Sequence, residues 1–186
     1  MRRTARRFLV VQAVHFDTVA IFLHWTIAAL IVIAFSLGLT LDAFPKAWEH
    51  AVVNIHALTG IAVLLLSFAR LGWRLGHTVP PMPPEVGPLM RRAAAVTHAV
   101  LYLLMILIPL IGIPTLLFRG RGLDFGIFQI GSPFARTREI YGPLTEVHEL
   151  AAYALIALAV GHALAALYHH FIRRDDVLLQ MLRMRA

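Results

Sequence analysis

TEVHELAAYALIALAVGHALAALYHHFI, residues 145–172, is long and apolar enough to cross a bilayer as one helix, yet it carries His148 near one end and His162 fourteen residues on. At about 100° and 1.5 Å per residue, fourteen steps return a side chain to within roughly 40° of its starting direction, about 21 Å further along the axis. One helix face therefore presents two imidazoles at two depths. Ionisable groups inside a span are costly and point to function, so a partner for each imidazole is expected on another span.

The rest of the chain has the composition to supply those spans. Its 186 residues are 59% hydrophobic, with a mean hydropathy of +0.74, well above a soluble domain. The length suits a single membrane domain over residues 1–186 and leaves no room for a second soluble domain of ordinary size. With no cysteine, intrachain disulfides, iron–sulfur clusters, thiolate zinc sites and thioether-attached haem are excluded. The ten histidines are then the strong nitrogen ligands that remain. The net charge of +7 reflects arginines beside apolar segments, the pattern of a lipid-facing protein and not of a nucleic-acid partner.

Three further apolar stretches read as spans, at 19–41 with His24, at 51–71 with Asn54, His56, Thr59 and Arg70, and at 95–118 with His98. Pro109 and Pro114 in the third predict a kink. The connections are a short turn at 42–50 broken by Pro45, a proline- and glycine-rich loop at 72–94, and a polar loop at 119–144. In the tail, 173–186, Val177, Leu178, Met181 and Leu182 lie opposite charge and predict a short surface helix. RRFLV near the N-terminus resembles an export signal only weakly, and the four arginines there read as a positive anchor. Lysine and arginine number twelve over the N-terminus, the 70–94 region and the tail, against five in the other two connections. The expected fold is an all-α transmembrane four-helix bundle with both termini cytoplasmic.

That topology puts His24, His98 and His162 toward the cytoplasmic side and His56 and His148 toward the outer side. The outer pair is what a planar macrocycle with two axial nitrogen ligands requires. The inner group has three candidates for two places, with His162 favoured by its spacing. Gly38, Gly60 and Gly161 would let the edge of a flat ring approach backbone. Arg70, fourteen residues after His56, brings a cation to cytoplasmic depth, where it suits a haem propionate.

LHW at 23–25, NIHALTG at 54–60, THAVLYLLMILIPLIG at 97–112, RGRG at 119–122, VHE at 147–149 and GHALAALYHHF at 161–171 occur in one order. Together they resemble the bacterial cytochrome b561 family, four-helix membrane proteins with two b haems, over nearly the whole chain from about residue 16. The core is also similar to the cytochrome b subunits of membrane-bound formate dehydrogenases and hydrogenases. The resemblance implies a multi-pass protein of the bacterial inner membrane. It implies His24 with His162 and His56 with His148 as axial ligands, and leaves His98 a non-ligand. The family often has tryptophan where this chain has Val147.

Two bis-histidine irons leave no open position for oxygen and suit single-electron transfer. His169 continues the His162 face toward the cytoplasm and, with His170, Arg173 and His98, makes a candidate quinone site. Arg119, Arg121, Arg136, Arg138 and Lys46 form a basic set on the outer side that would gather a small anion. Members of the family that stand alone are similar to superoxide oxidases, which pass electrons from superoxide to ubiquinone. A second reading is a subunit linking a partner dehydrogenase or hydrogenase to the quinone pool. A third, a histidine-lined metal transporter, fits poorly because its ligands would gather at one depth.

Overall fold

The computed structural model describes residues 16–83 and 86–182, and four long helices dominate it. They are α1 (Thr18–Leu39), α2 (Lys46–Gly76), α3 (Pro88–Phe118) and α4 (Arg138–Tyr168), and each is long and apolar enough to cross a membrane. The 31 residues of α2, of α3 and of α4 reach about 46 Å, past a hydrocarbon core of about 30 Å. Hydropathy marks where the lipid lies, whereas backbone hydrogen bonding carries the helices on into polar turns. The expected 72–94 loop accordingly narrows to 77–87, and α3 opens on Pro88, where proline loses no hydrogen bond. Helix α3 stays helical through Pro109 and Pro114. The arginine-rich residues 1–15 and the last four of the tail lie outside the described residues.

The helices run up, down, up and down. Backbone packing is closest between α1 and α2, α2 and α3, and α3 and α4. Helices α1 and α4 meet through side chains, among them Phe35 edge-on to Tyr153 at 5.7 Å. Ile27, Val63, Met105, Ile108 and Leu155 form one core layer drawn from all four helices. Outward, Phe22, Leu65, Leu103 and Leu150 are exposed, an apolar surface that lipid covers at no cost.

Two ends of the bundle can be distinguished. At the tail end, Asp17 caps α1 by accepting the Ala20 N–H at 2.9 Å. Its two oxygens also accept the Trp73 indole N–H at 3.0 and 3.1 Å, which ties the start of α1 to the last turns of α2. Burial opposes ionisation of Asp17, but these N–H groups outweigh it and lower its pKa. Helix α4 finishes in a single π-turn, His169–Arg173, and Arg174 takes a left-handed conformation with φ 55°. That reversal sends the tail back under the bundle, where α5 (Leu179–Leu182) forms. Trp25 donates to the Met181 carbonyl at 2.9 Å and Gln180 to that of Pro81 at 3.2 Å. The tail thus closes the bundle instead of lying apart from it.

At the other end, the α3–α4 connection carries a small antiparallel hairpin, β1 (Leu123–Asp124) and β2 (Gln129–Ile130). Asn54, two residues before His56, acts as a strand partner for it. Its amide donates to the Asp124 carbonyl at 2.8 Å and its carbonyl accepts the Asp124 N–H at 2.9 Å. Gly122 lies so close to β2 that a β-carbon would collide with the Ile130 carbonyl. Gly122→Ala is therefore expected to loosen this hairpin by about 1–3 kcal/mol. Amide exchange at 123–130 should rise roughly tenfold or more while the core helices keep their protection.

Candidate functional site

Two histidine pairs cross the bundle at two levels. On the hairpin side, His56 of α2 faces His148 of α4 with ring centroids 6.0 Å apart and planes at 73°. On the tail side, His24 of α1 faces His162 of α4 at 6.4 Å and 77°. Two metal–imidazole bonds of about 2.0 Å, with the distance from nitrogen to ring centre added at each end, put such centroids about 6 Å apart. Both pairs therefore have the span of imidazoles on opposite sides of one iron. The core layer lies between the levels, with Leu155 seven residues from each histidine of α4.

The hairpin-side rings are oriented by helices that supply no imidazole of their own to that pair. The Nδ1 of His56 lies 2.9 Å from the Ala34 carbonyl of α1, and the Nδ1 of His148 lies 3.0 Å from the Ile108 carbonyl of α3. A carbonyl only accepts, so each Nδ1 carries the proton and each Nε2 keeps its lone pair for a metal. In both cases the residue one turn after the carbonyl is glycine. A β-carbon on Gly38 would stand 3.2 Å from the His56 ring, and one on Gly112 would stand 3.0 Å from that of His148. Because Cα–Cβ bonds tilt toward the helix N-terminus, a side chain at either position would cover the carbonyl that the ring uses.

The three glycines singled out in the sequence therefore have different surroundings. Gly38 is covered by an imidazole and not by open space for a macrocycle edge. Gly60 has nothing within 4 Å of a β-carbon position and lines an apolar cleft with His56, His148, Val63, Met105 and Leu155, as a flat ring would need. Gly161 is exposed and open. Gly112 escaped the sequence reading, although its place fourteen residues after His98 repeats that of Gly38 after His24.

The tail-side level holds three imidazoles. Besides facing His24, His162 meets the edge of His98 at 5.2 Å, nearer than an iron-bridged pair stands. Arg70 sits over the Tyr102 ring at 5.5 Å and has no carboxylate partner among the described residues. The donor set of paired imidazoles, apolar cleft and a half-buried guanidinium without a carboxylate partner among the described residues fits an iron porphyrin with an acidic edge.

Comparison with known proteins agrees with that chemistry, since the prokaryotic cytochrome b561 family model matches residues 15–184. The chain belongs to the prokaryotic cytochrome b561 family. It is similar to a probable superoxide oxidase of Yersinia pestis, 36% identical over 86% of this chain and 91% of that protein. It is also similar to cytochrome b561 homolog 1 of Escherichia coli K12, at 31% over 90% and 96%. A cytochrome b562 of Cereibacter sphaeroides is 33% identical over 88% and 92%. Like other cytochromes b561, this chain is a multi-pass bacterial membrane protein of electron transfer with haem b as its cofactor.

In this cytochrome b561 the remaining candidates divide. His169 is buried, and its Nδ1 lies 2.5 Å from Asp175 Oδ2 across the π-turn. His170 turns its ring toward Phe171, Arg173 is exposed on the same turn, and His98 packs on His162. At the hairpin end Arg121 pairs with Glu49, and Arg119 donates to Thr145 at 3.1 Å and lies over the Tyr141 ring. Arg136 reaches the Tyr141 hydroxyl at 3.3 Å. Lys46 and Arg138 are exposed. The basic set is thus partly neutralised by Glu49, and its free field comes from the other four cations.

Proposed function

We propose that this cytochrome b561 binds two b haems, one between His56 and His148 and one between His24 and His162, and passes electrons from superoxide to ubiquinone across the bacterial inner membrane. The observation that carries the reading is the pair of imidazole couples at two depths, each with the span of a six-coordinate iron. Bound haem supplies reversible one-electron carriage there. The chain's own residues fix the ring orientations of the hairpin-side pair, exclude water with the Ile27–Leu155 layer, and place Arg70 to hold a propionate of the tail-side haem. The relative named a probable superoxide oxidase supports the choice of donor, as does the basic group at the hairpin end. Haem reduction by superoxide, followed by stopped-flow absorbance, should slow as ionic strength rises past the point where the Debye length falls to about 10 Å. No reduction by superoxide at any salt concentration would remove this donor.

A second reading, a cytochrome b subunit serving a partner dehydrogenase, is favoured by the uncharged hairpin tip, where Ile127 is 91% exposed and Phe128 51%. A stoichiometric soluble partner retained through purification in mild detergent would select it.

A further inference from the structure

Ile127, at the tip of the hairpin between α3 and α4, is the most exposed large apolar side chain among the described residues. Phe125, Phe128 and Ile130 around it are exposed as well, and no charged residue occurs between Asp124 and Arg136. The turn beneath them is closed. Phe125 donates its N–H to the Phe128 carbonyl at 3.0 Å, and Gly126 takes φ 81°, as a tight hairpin turn requires. The Gly126 N–H donates to Asp124 Oδ1 at 2.7 Å, and the Gln129 amide donates to Asp124 Oδ2 at 2.9 Å. The Phe125 and Phe128 rings stack at 4.7 Å. An apolar face is thus held on a fixed turn whose polar groups are largely paired from within, which lowers the cost of leaving water.

The depth of this face follows from the residues beside it. Asn54 clasps Asp124 of β1, and from Asn54 to the exposed Arg74 is twenty residues of α2, about 30 Å, the thickness of a hydrocarbon core. If Arg74 marks one boundary, Asn54 marks the other. Helix α4 gives the same level independently. Glu149 is exposed and follows His148, which faces His56, and a carboxylate on the outer surface of a bundle does not lie among acyl chains. Trp48, exposed six residues nearer the start of α2, then stands at headgroup height, where tryptophan is enriched. Ile55, the residue after Asn54, is exposed on the lipid-covered side of α2, so the apolar surface of the tip continues one that lipid already covers.

We propose that the hairpin tip, Phe125 to Ile130, is an interfacial anchor that seats at the boundary between headgroups and acyl chains in the leaflet at the hairpin end. The same exposure would suit a partner subunit. However, four side chains offer far less than the roughly 800 Å² that each partner gives up in a standard protein interface, and their level is that of the lipid boundary. Seated there, the tip makes the bilayer a support of the Asn54 clasp, two residues from His56. The anchor is independent of which donor and acceptor the protein serves.

The chain has no cysteine, so Ile127→Cys takes a nitroxide at a single place. The full-length haem-loaded protein is placed in vesicles of phosphatidylethanolamine and phosphatidylglycerol, and collisions of the nitroxide with oxygen, which concentrates in lipid, are compared with those of a water-soluble nickel chelate. Oxygen is expected to dominate at 127 by several-fold, and the nickel chelate at a Glu139→Cys control in the first turn of α4. Nickel dominance at 127 puts the tip in water and overturns the proposal. Exclusion of both reagents overturns it too, since protein, a second copy or a partner subunit, would then cover the tip. A second variant, Ile127→Asp, carries little risk to the fold because the side chain packs on so little of the protein. Amide exchange at 123–130 in the same vesicles is expected to rise about tenfold in this variant, the effect of losing the burial of one isoleucine side chain. Equal exchange in variant and wild type would show that the bilayer lends the hairpin nothing.

Discussion

Replacing His148 with alanine is expected to halve the haem content, from two b haems per chain to one, and to abolish superoxide-driven quinone reduction. His56→Ala should give the same residual spectrum, because the two imidazoles face each other at 6.0 Å and no ring contact pairs either with another histidine among the described residues. His24→Ala and His162→Ala should remove the other haem. The informative variant is His98→Ala, since His98 lies 5.2 Å from His162 and shares its depth. Both haems are expected to survive that change. A chain that keeps two haems without His24 and loses one without His98 would reassign the tail-side ligand. Pyridine haemochrome content per chain, with the reduced-minus-oxidised spectrum, reads all five variants.

Gly112→Ala should be nearly as damaging as loss of a ligand, although the residue donates nothing. The added methyl would stand 3.0 Å from Cε1 and 3.2 Å from Nδ1 of His148, inside the space the ring now occupies. To relieve the contact the imidazole must swing off the Ile108 carbonyl and lose the bond that fixes its tautomer. Such supporting contacts are worth about 10–100-fold in metal affinity, and that is the expected loss for the hairpin-side haem. The Nδ1 hydrogen bond makes the ligand more basic, so its loss should also raise the midpoint potential of whatever haem remains. Gly38→Ala, with 3.2 Å to the His56 ring, should act in the same direction and less strongly. Gly161→Ala has open space and serves as the control. Equal haem affinity in Gly112→Ala and Gly161→Ala would show that the ring has room to move.

Much of this was legible in the sequence because the bilayer writes depth into the chain. A fourteen-residue interval on α4 and one histidine near the start of α2 were enough to set His56 against His148. Depth could not separate His24 from His98, which come from parallel helices and lie at one level, so the choice between them came from family resemblance. The cradle around the hairpin-side rings was hidden for a different reason. Gly38 and Gly112 act through backbone carbonyls on neighbouring helices, and a carbonyl has no residue identity to read. The pairing of His169 with Asp175 was not legible in the sequence, because it runs across a π-turn, outside the three- and four-residue intervals by which helical neighbours are recognised. Helix ends were also missed, since α2 and α4 extend past the apolar stretch that hydropathy reports.

The closure of the tail end has a bearing on how the protein is assembled. Helix α5 is bonded to Trp25 at the opposite end of the chain and to the 77–87 connection, and it leaves the ribosome after all four spans. The hairpin-side level is enclosed earlier, once α4 has joined α3 and the Asn54 clasp has formed. The two haems proposed above would then enter in a fixed order, hairpin side first. The tail-side site would stay open until the tail seats beneath it.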